Sequence, residues 1–88
     1  MSGIVIYTGH LCGFCSQAKK LLKSKNINFE EINIHDQCEK KEEMIKLSGG
    51  RVSVPQIFYH GKHLGGCDDL FNMESTGELN KVLNIEID

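Results

Sequence analysis

The chain has 88 residues, 40% hydrophobic and 25% charged, with a formal net charge of −2, which is the composition expected of one small globular domain spanning 1–88. That charge excludes the basic field that nucleic-acid recognition needs, and no apolar run approaches the roughly 20 residues that cross a bilayer. Met1-Ser2-Gly3-Ile4 has neither the charged start nor the apolar core of a signal peptide, so the four cysteines are expected in a reducing, cytoplasmic setting, as functional thiols and not as a disulfide framework.

Ile4-Val5-Ile6-Tyr7-Thr8 is short, apolar and β-branched, and reads as a buried strand. Ala18, Leu21 and Leu22 then recur at helical spacing among Lys19, Lys20 and Lys23, the pattern of an amphipathic helix. At the junction stands Cys12-Gly13-Phe14-Cys15, and a Cys-x-x-Cys placed there is the sequence form of a thiol–disulfide redox site. Cys12 at the helix start meets unpaired N–H groups and the positive end of the macrodipole. Both favour a thiolate and bring the thiol below its free pKa of about 8.5. Cys15, three residues on, faces the same side and can reach the first sulfur. Half of a zinc site is the competing reading, but zinc usually wants a second close pair, and Cys38 and Cys67 are far apart in sequence.

Asn26 is a plausible helix stop, and Ile27–Ile34 alternates over its first five residues as a second strand, parallel to the first through a right-handed crossover. Asp36 or Gln37 opens a charged helix running to Leu47, with Asp36 as the N-cap candidate and the charges forming a solvated face. Cys38, near that helix start and without a partner cysteine, is incidental on this reading. Ser48-Gly49-Gly50 ends the helix. Arg51–Tyr59 is a strand with the only proline near its beginning, His60-Gly61-Lys62 a turn, and His63-Leu64-Gly65 a return strand. Gly65-Gly66-Cys67-Asp68-Asp69 leads into a helix from Asp68 to Glu74, Ser75-Thr76-Gly77 interrupts it, and Glu78–Leu83 adds a turn or two. The tail from Asn84 to Asp88 alternates weakly and is expected to fray. The order is β-α-β-α-β-β-α, an α/β sandwich on a four-stranded mixed sheet.

Cys12-x-x-Cys15 after an Ile-Val-Ile-Tyr-Thr strand, Val54-Pro55-Gln56-Ile57-Phe58, and Gly65-Gly66-Cys67-Asp68-Asp69 follow one another in that order. Together they resemble the glutaredoxin family of the thioredoxin-like fold over nearly the whole chain. The resemblance implies the sheet order 2-1-3-4, a redox-active Cys12–Cys15 disulfide, and glutathione as electron donor in cell redox homeostasis. It also implies a cis Val54-Pro55 bond beside the cysteines, an isomer essentially confined to X-Pro bonds, with the Val54 backbone pairing with the cysteinyl part of glutathione. From the residues alone, a plain strand-entry proline competes. By the same resemblance Gly66, Cys67, Asp68 and Asp69 receive the γ-glutamyl end, helix-start amides suiting its carboxylate and an aspartate its ammonium. Phe14 stands where the family has an aromatic residue and packs beside the tripeptide. The lysine that many glutaredoxins carry before the first cysteine is missing from Thr8-Gly9-His10-Leu11, which leaves Arg51 or His10 as candidates for the glycyl carboxylate.

The expected activity is reduction of glutathionylated and disulfide-containing proteins by a monomer, with Cys12 as nucleophile and Cys15 as resolving thiol. Gly13-Phe14 resembles the centre of the single-thiol Cys-Gly-Phe-Ser branch, which implies an alternative: a dimer carrying a glutathione-ligated [2Fe–2S] cluster through Cys12. A thioredoxin-type reductant fed by a flavin reductase is a third reading. It is disfavoured because Leu11 stands where thioredoxins usually have tryptophan.

Overall fold

The computed structural model describes residues 3–83, so the weakly alternating tail lies outside the described residues. In chain order the elements are β1 (Ile4–Thr8), α1 (Gly13–Ser24), β2 (Phe29–Asn33), α2 (Glu39–Leu47), β3 (Gln56–Tyr59), β4 (Lys62–Gly65), α3 (Cys67–Thr76) and α4 (Glu78–Val82). The sheet order is β2-β1-β3-β4, as the resemblance implied. β1 runs parallel to β2 from the pair Ile4–Phe29 to Thr8–Asn33, and antiparallel to β3 with Ile6 opposite Ile57. β4 completes the sheet antiparallel to β3, with Phe58 opposite His63.

The alternation of a strand assigns β1 to two cores. Ile4 and Ile6 pack with Ile57, with Ala18 and Leu22 of α1, and with Leu70 and Leu79 of α3 and α4. Tyr7 packs on the opposite face with Ile32, Ile34, Phe58 and Met44 of α2. Leu22, Met44 and Leu79 are fully buried, and each such side chain contributes about 1.5–3 kcal/mol by leaving water. The sheet thus lies between α1, α3 and α4 on one side and α2 on the other. No helix among the described residues is long and apolar enough to cross a membrane.

Five elements differ at their boundaries from the sequence reading. β2 begins at Phe29, because the Ile27 N–H closes back on the Leu22 carbonyl and Asn26 turns the chain at φ 58°. α2 begins at Glu39, and Asp36 is not its N-cap. The Asn33 side-chain oxygen accepts the N–H groups of His35 (2.9 Å) and Asp36 (3.2 Å), which holds a turn there and delays the helix. The Asp36 carboxylate instead meets His10 Nε2 at 2.8 Å. β3 begins only at Gln56. Pro55 has no N–H for a ladder, and Arg51 is tied to the end of α2 by two 3.1 Å bonds: its N–H donates to the Ser48 hydroxyl, which donates to the Arg51 carbonyl. β4 starts one residue early, at Lys62, because His60 and Gly61 (φ 48° and 84°) make a two-residue left-handed turn. α3 also starts one residue early, at Cys67, and continues through Ser75 and Thr76, so that Gly77 alone, at φ 81°, ends it.

Candidate active site

The end of β1 delivers the chain to α1 through Gly9–Cys12. His10 donates its N–H to His35 Nδ1 at 2.7 Å, which ties this loop to the β2–α2 connection. Leu11 follows in a left-handed conformation, φ 52°, with its side chain fully exposed. Cys12 is the N-cap of α1, with extended backbone angles. Its sulfur accepts the Cys15 N–H at 3.1 Å and is bonded to the Cys15 sulfur in a disulfide across Cα atoms 5.2 Å apart. Cys15 is buried while Cys12 is half-exposed, so an incoming thiol meets Cys12 first. Once the disulfide is reduced, the same N–H and the helix start favour a thiolate at Cys12.

Val54-Pro55 is cis, and the Val54 carbonyl oxygen lies 3.8 Å from Cys12 Sγ. From there a cleft of about 240 Å³ opens. Phe14, Val54 and Pro55 line it, and Gly66, Cys67, Asp68, Asp69 and Arg51 complete it. The structure therefore brings together every non-cysteine residue assigned to the site from the sequence. Of the two candidates for replacing the missing lysine, Arg51 lines the cleft. His10 does not, being engaged with Asp36. Ser53 also lines the cleft and was missed, because a serine before the proline carries no signal of its own.

Gly66 has a packing reason: a Cβ there would approach the Pro55 carbonyl oxygen to 3.2 Å. Its N–H donates to Asp69 Oδ2 at 3.0 Å, the reciprocal half of a capping arrangement at the start of α3, and Arg51 Nη1 lies 3.4 Å from the same oxygen. The Gly66 N–H foremost, and Arg51 after it, hold the Asp69 carboxyl below the usual carboxylate range. Burial, then the Asp68 charge, pushes the Cys67 thiol up, so Cys67 stays a neutral thiol in the cleft wall. The cleft joins fixed charges of both signs to an exposed aromatic ring, a combination suited to a small zwitterionic peptide.

Residues 4–64 match the glutaredoxin family model. This chain belongs to the glutaredoxin family. It is 52% identical over 81 residues to glutaredoxin 1 of Rickettsia prowazekii, covering 91% of this chain and 85% of that protein. It is 47% identical over 83 residues to glutaredoxin 3 of Escherichia coli K12, covering 94% and 99%. The structure superposes on the buckwheat glutaredoxin–glutathione complex with a TM-score of 0.83 at 28% identity, covering 93% of this chain and 76% of that one. As a glutaredoxin it is a thiol–disulfide oxidoreductase of thioredoxin-like fold, and Cys12 and Cys15 are its disulfide-capable pair.

Proposed function

We propose that this glutaredoxin, acting as one domain, uses glutathione to reduce protein–glutathione mixed disulfides and small disulfides, with Cys12 as nucleophile. The observation that carries the reading is the half-exposed Cys12 sulfur, held at a helix N-cap beside Val54 at the mouth of a charged, peptide-sized cleft. The glutathione seen with the buckwheat relative supports the choice of tripeptide. The Cys12 thiolate attacks the glutathione sulfur of the mixed disulfide. The protein sulfur leaves as a thiolate and takes a proton from water. A glutathione thiolate then attacks the glutathionyl sulfur on Cys12, forming glutathione disulfide and restoring the Cys12 thiolate. On a protein disulfide, Cys15 resolves the mixed disulfide and closes the Cys12–Cys15 bond, which two glutathiones reopen.

In this reading Val54 pairs with the cysteinyl part, the start of α3 with Asp68 and Asp69 holds the γ-glutamyl end, and Arg51 attracts the glycyl carboxylate. Turnover of a glutathionylated protein, measured with glutathione and glutathione reductase, tests it. Saturable dependence on glutathione is expected. Turnover supported only by a flavin-dependent thioredoxin reductase would overturn it.

A second reading keeps a specific observation. Gly13 needs no positive φ, and a Cβ on it would meet no atom of the described residues within 4 Å, so nothing among them requires glycine there. A partner subunit approaching α1 would. The Cys12 sulfur, freed from Cys15, is a soft donor suited to iron in a glutathione-ligated [2Fe–2S] cluster. Anaerobic purification separates the readings: a brown dimer that loses colour as Cys12→Ser favours cluster carriage, and a colourless monomer after reconstitution with iron, sulfide and glutathione opposes it.

A further inference from the structure

Behind the cleft wall lies a polar chain that joins β4, β3 and the segment before the proline. Gln56 opens β3 and is fully buried, followed by the apolar Ile57 and Phe58. A buried carboxamide is costly unless its bonds are met, and when met they select one arrangement of the groups around it. Gln56 Nε2 donates to the Ser53 carbonyl at 3.1 Å and to the Ser53 hydroxyl at 3.2 Å. Its Oε1 lies 2.7 Å from His63 Nε2.

The directions of these bonds follow from the inventory of donors and acceptors. A carbonyl only accepts, so the Gln56 amide nitrogen faces Ser53 and the amide oxygen faces His63. His63 therefore carries a hydrogen on Nε2. The imidazole is itself held in place, its ring 5.0 Å from that of Phe58 at an interplanar angle of 33°. Burial foremost, and Arg51 beside it, lower its pKa against the opposing pull of Asp69, so the ring is neutral at pH 7 and donates in one direction only.

We propose that Gln56, oriented by His63, is a positioning residue for the substrate: it fixes Ser53 and so holds Val54, the next residue, against Cys12 and the cleft. This rests on the reading above in which Val54 pairs with glutathione. Neither Gln56 nor His63 lines the cleft, so both act through the Ser53–Val54 segment. Removing the chain leaves the Cys12 sulfur chemistry intact and loosens the groove, which weakens binding more than it slows the exchange step.

The test measures kcat and KM for glutathione in the coupled assay, with alkylation of reduced Cys12 by iodoacetamide as a measure of the sulfur alone. Gln56→Leu is expected to raise KM roughly three- to tenfold, the value of one or two neutral hydrogen bonds, with kcat and the alkylation rate changed less than about twofold. His63→Leu is expected to raise KM in the same way, and His63→Gln, which retains a donor for the Gln56 oxygen, to restore it. Should Gln56→Leu fail to fold, the half-buried His63 pair decides. KM values unchanged in folded Gln56→Leu and His63→Leu, or a His63→Gln protein as impaired as His63→Leu, would overturn the inference. A wild-type protein without saturable glutathione dependence would sink the glutathione reading instead, so the two failures are distinct.

Discussion

Cys12 Sγ and the Val54 carbonyl oxygen lie 3.8 Å apart although 42 residues separate them in the chain. β1 brings the first and the β3 approach the second. The antiparallel pairing of Tyr7 with Gln56 leaves the end of β1 and the start of β3 at the same end of the sheet. The redox sulfur and the groove wall are thus set by one register, which a slip of one residue would destroy.

From that placement Cys12→Ser is expected to abolish turnover of every disulfide substrate, since the half-exposed sulfur is the one that a substrate reaches. Cys15→Ser is expected to retain reduction of glutathionylated proteins and to lose reduction of protein disulfides, because only the latter needs a second sulfur on the enzyme. Substantial turnover by Cys12→Ser on either substrate would refute the assignment of the nucleophile.

Where one local pattern decided an element, it was legible from residues alone. β1 and α1 follow from a short apolar, β-branched run and a helical apolar stripe, and Cys12 at their junction needed nothing further. The start of α2 was misread because Asp36 has the chemistry of an N-cap, and only the folded chain shows that Asn33 holds the turn and that His10 lies within reach of Asp36. Arg51 and His10 were equal candidates for a missing cation for the same reason: which of them faces the cleft depends on how the segment after α2 is tied to Ser48. Gln56 offered one readable signal, a carboxamide beside Ile57-Phe58 in a strand. Its partners His63 and Ser53 are chosen by the hairpin register and the loop, which no single stretch encodes.

Arg51 lies in the cleft wall with its guanidinium near Asp69 and about half exposed, so its pull on an anionic substrate is partly screened. Arg51→Gln is expected to raise KM for glutathione roughly three- to tenfold and to leave kcat within about twofold, the effect of losing one charge-assisted contact at a wet site. The wild-type KM is expected to rise with ionic strength and that of Arg51→Gln to rise less. Equal salt dependence of the two KM values would remove Arg51 from the carboxylate contact.

Gly65 combines two demands. Its φ of 115° is one that residues with a side chain rarely adopt, and an added Cβ would overlap the Asp69 side chain. Gly65→Ala is therefore expected to cost about 2 kcal/mol of unfolding free energy. It should also displace Asp69 from the Gly66 N–H, so KM for glutathione rises. Thermal unfolding and coupled kinetics on the same preparation check both effects. An unshifted midpoint would mean that the turn relaxes around the methyl group.

Tyr7 shows how the opposite face of the sheet reports on pH without touching the redox site. Its hydroxyl is buried and donates to Glu43 at 2.8 Å, and its pKa is raised by burial foremost and by the Glu43 contact after it. Well below pH 10 the phenol is protonated in both folded and unfolded chains and contributes no slope. Above about pH 10 the unfolded tyrosine ionises first, so the unfolded chain binds fewer protons and stability falls as pH rises. Tyr7→Phe is expected to cost about 1 kcal/mol at pH 7 through the lost bond, to flatten the decline above pH 10, and to leave disulfide turnover unchanged. Denaturant midpoints between pH 8 and 11 decide it, because an alkaline slope that survives in Tyr7→Phe must arise from other groups.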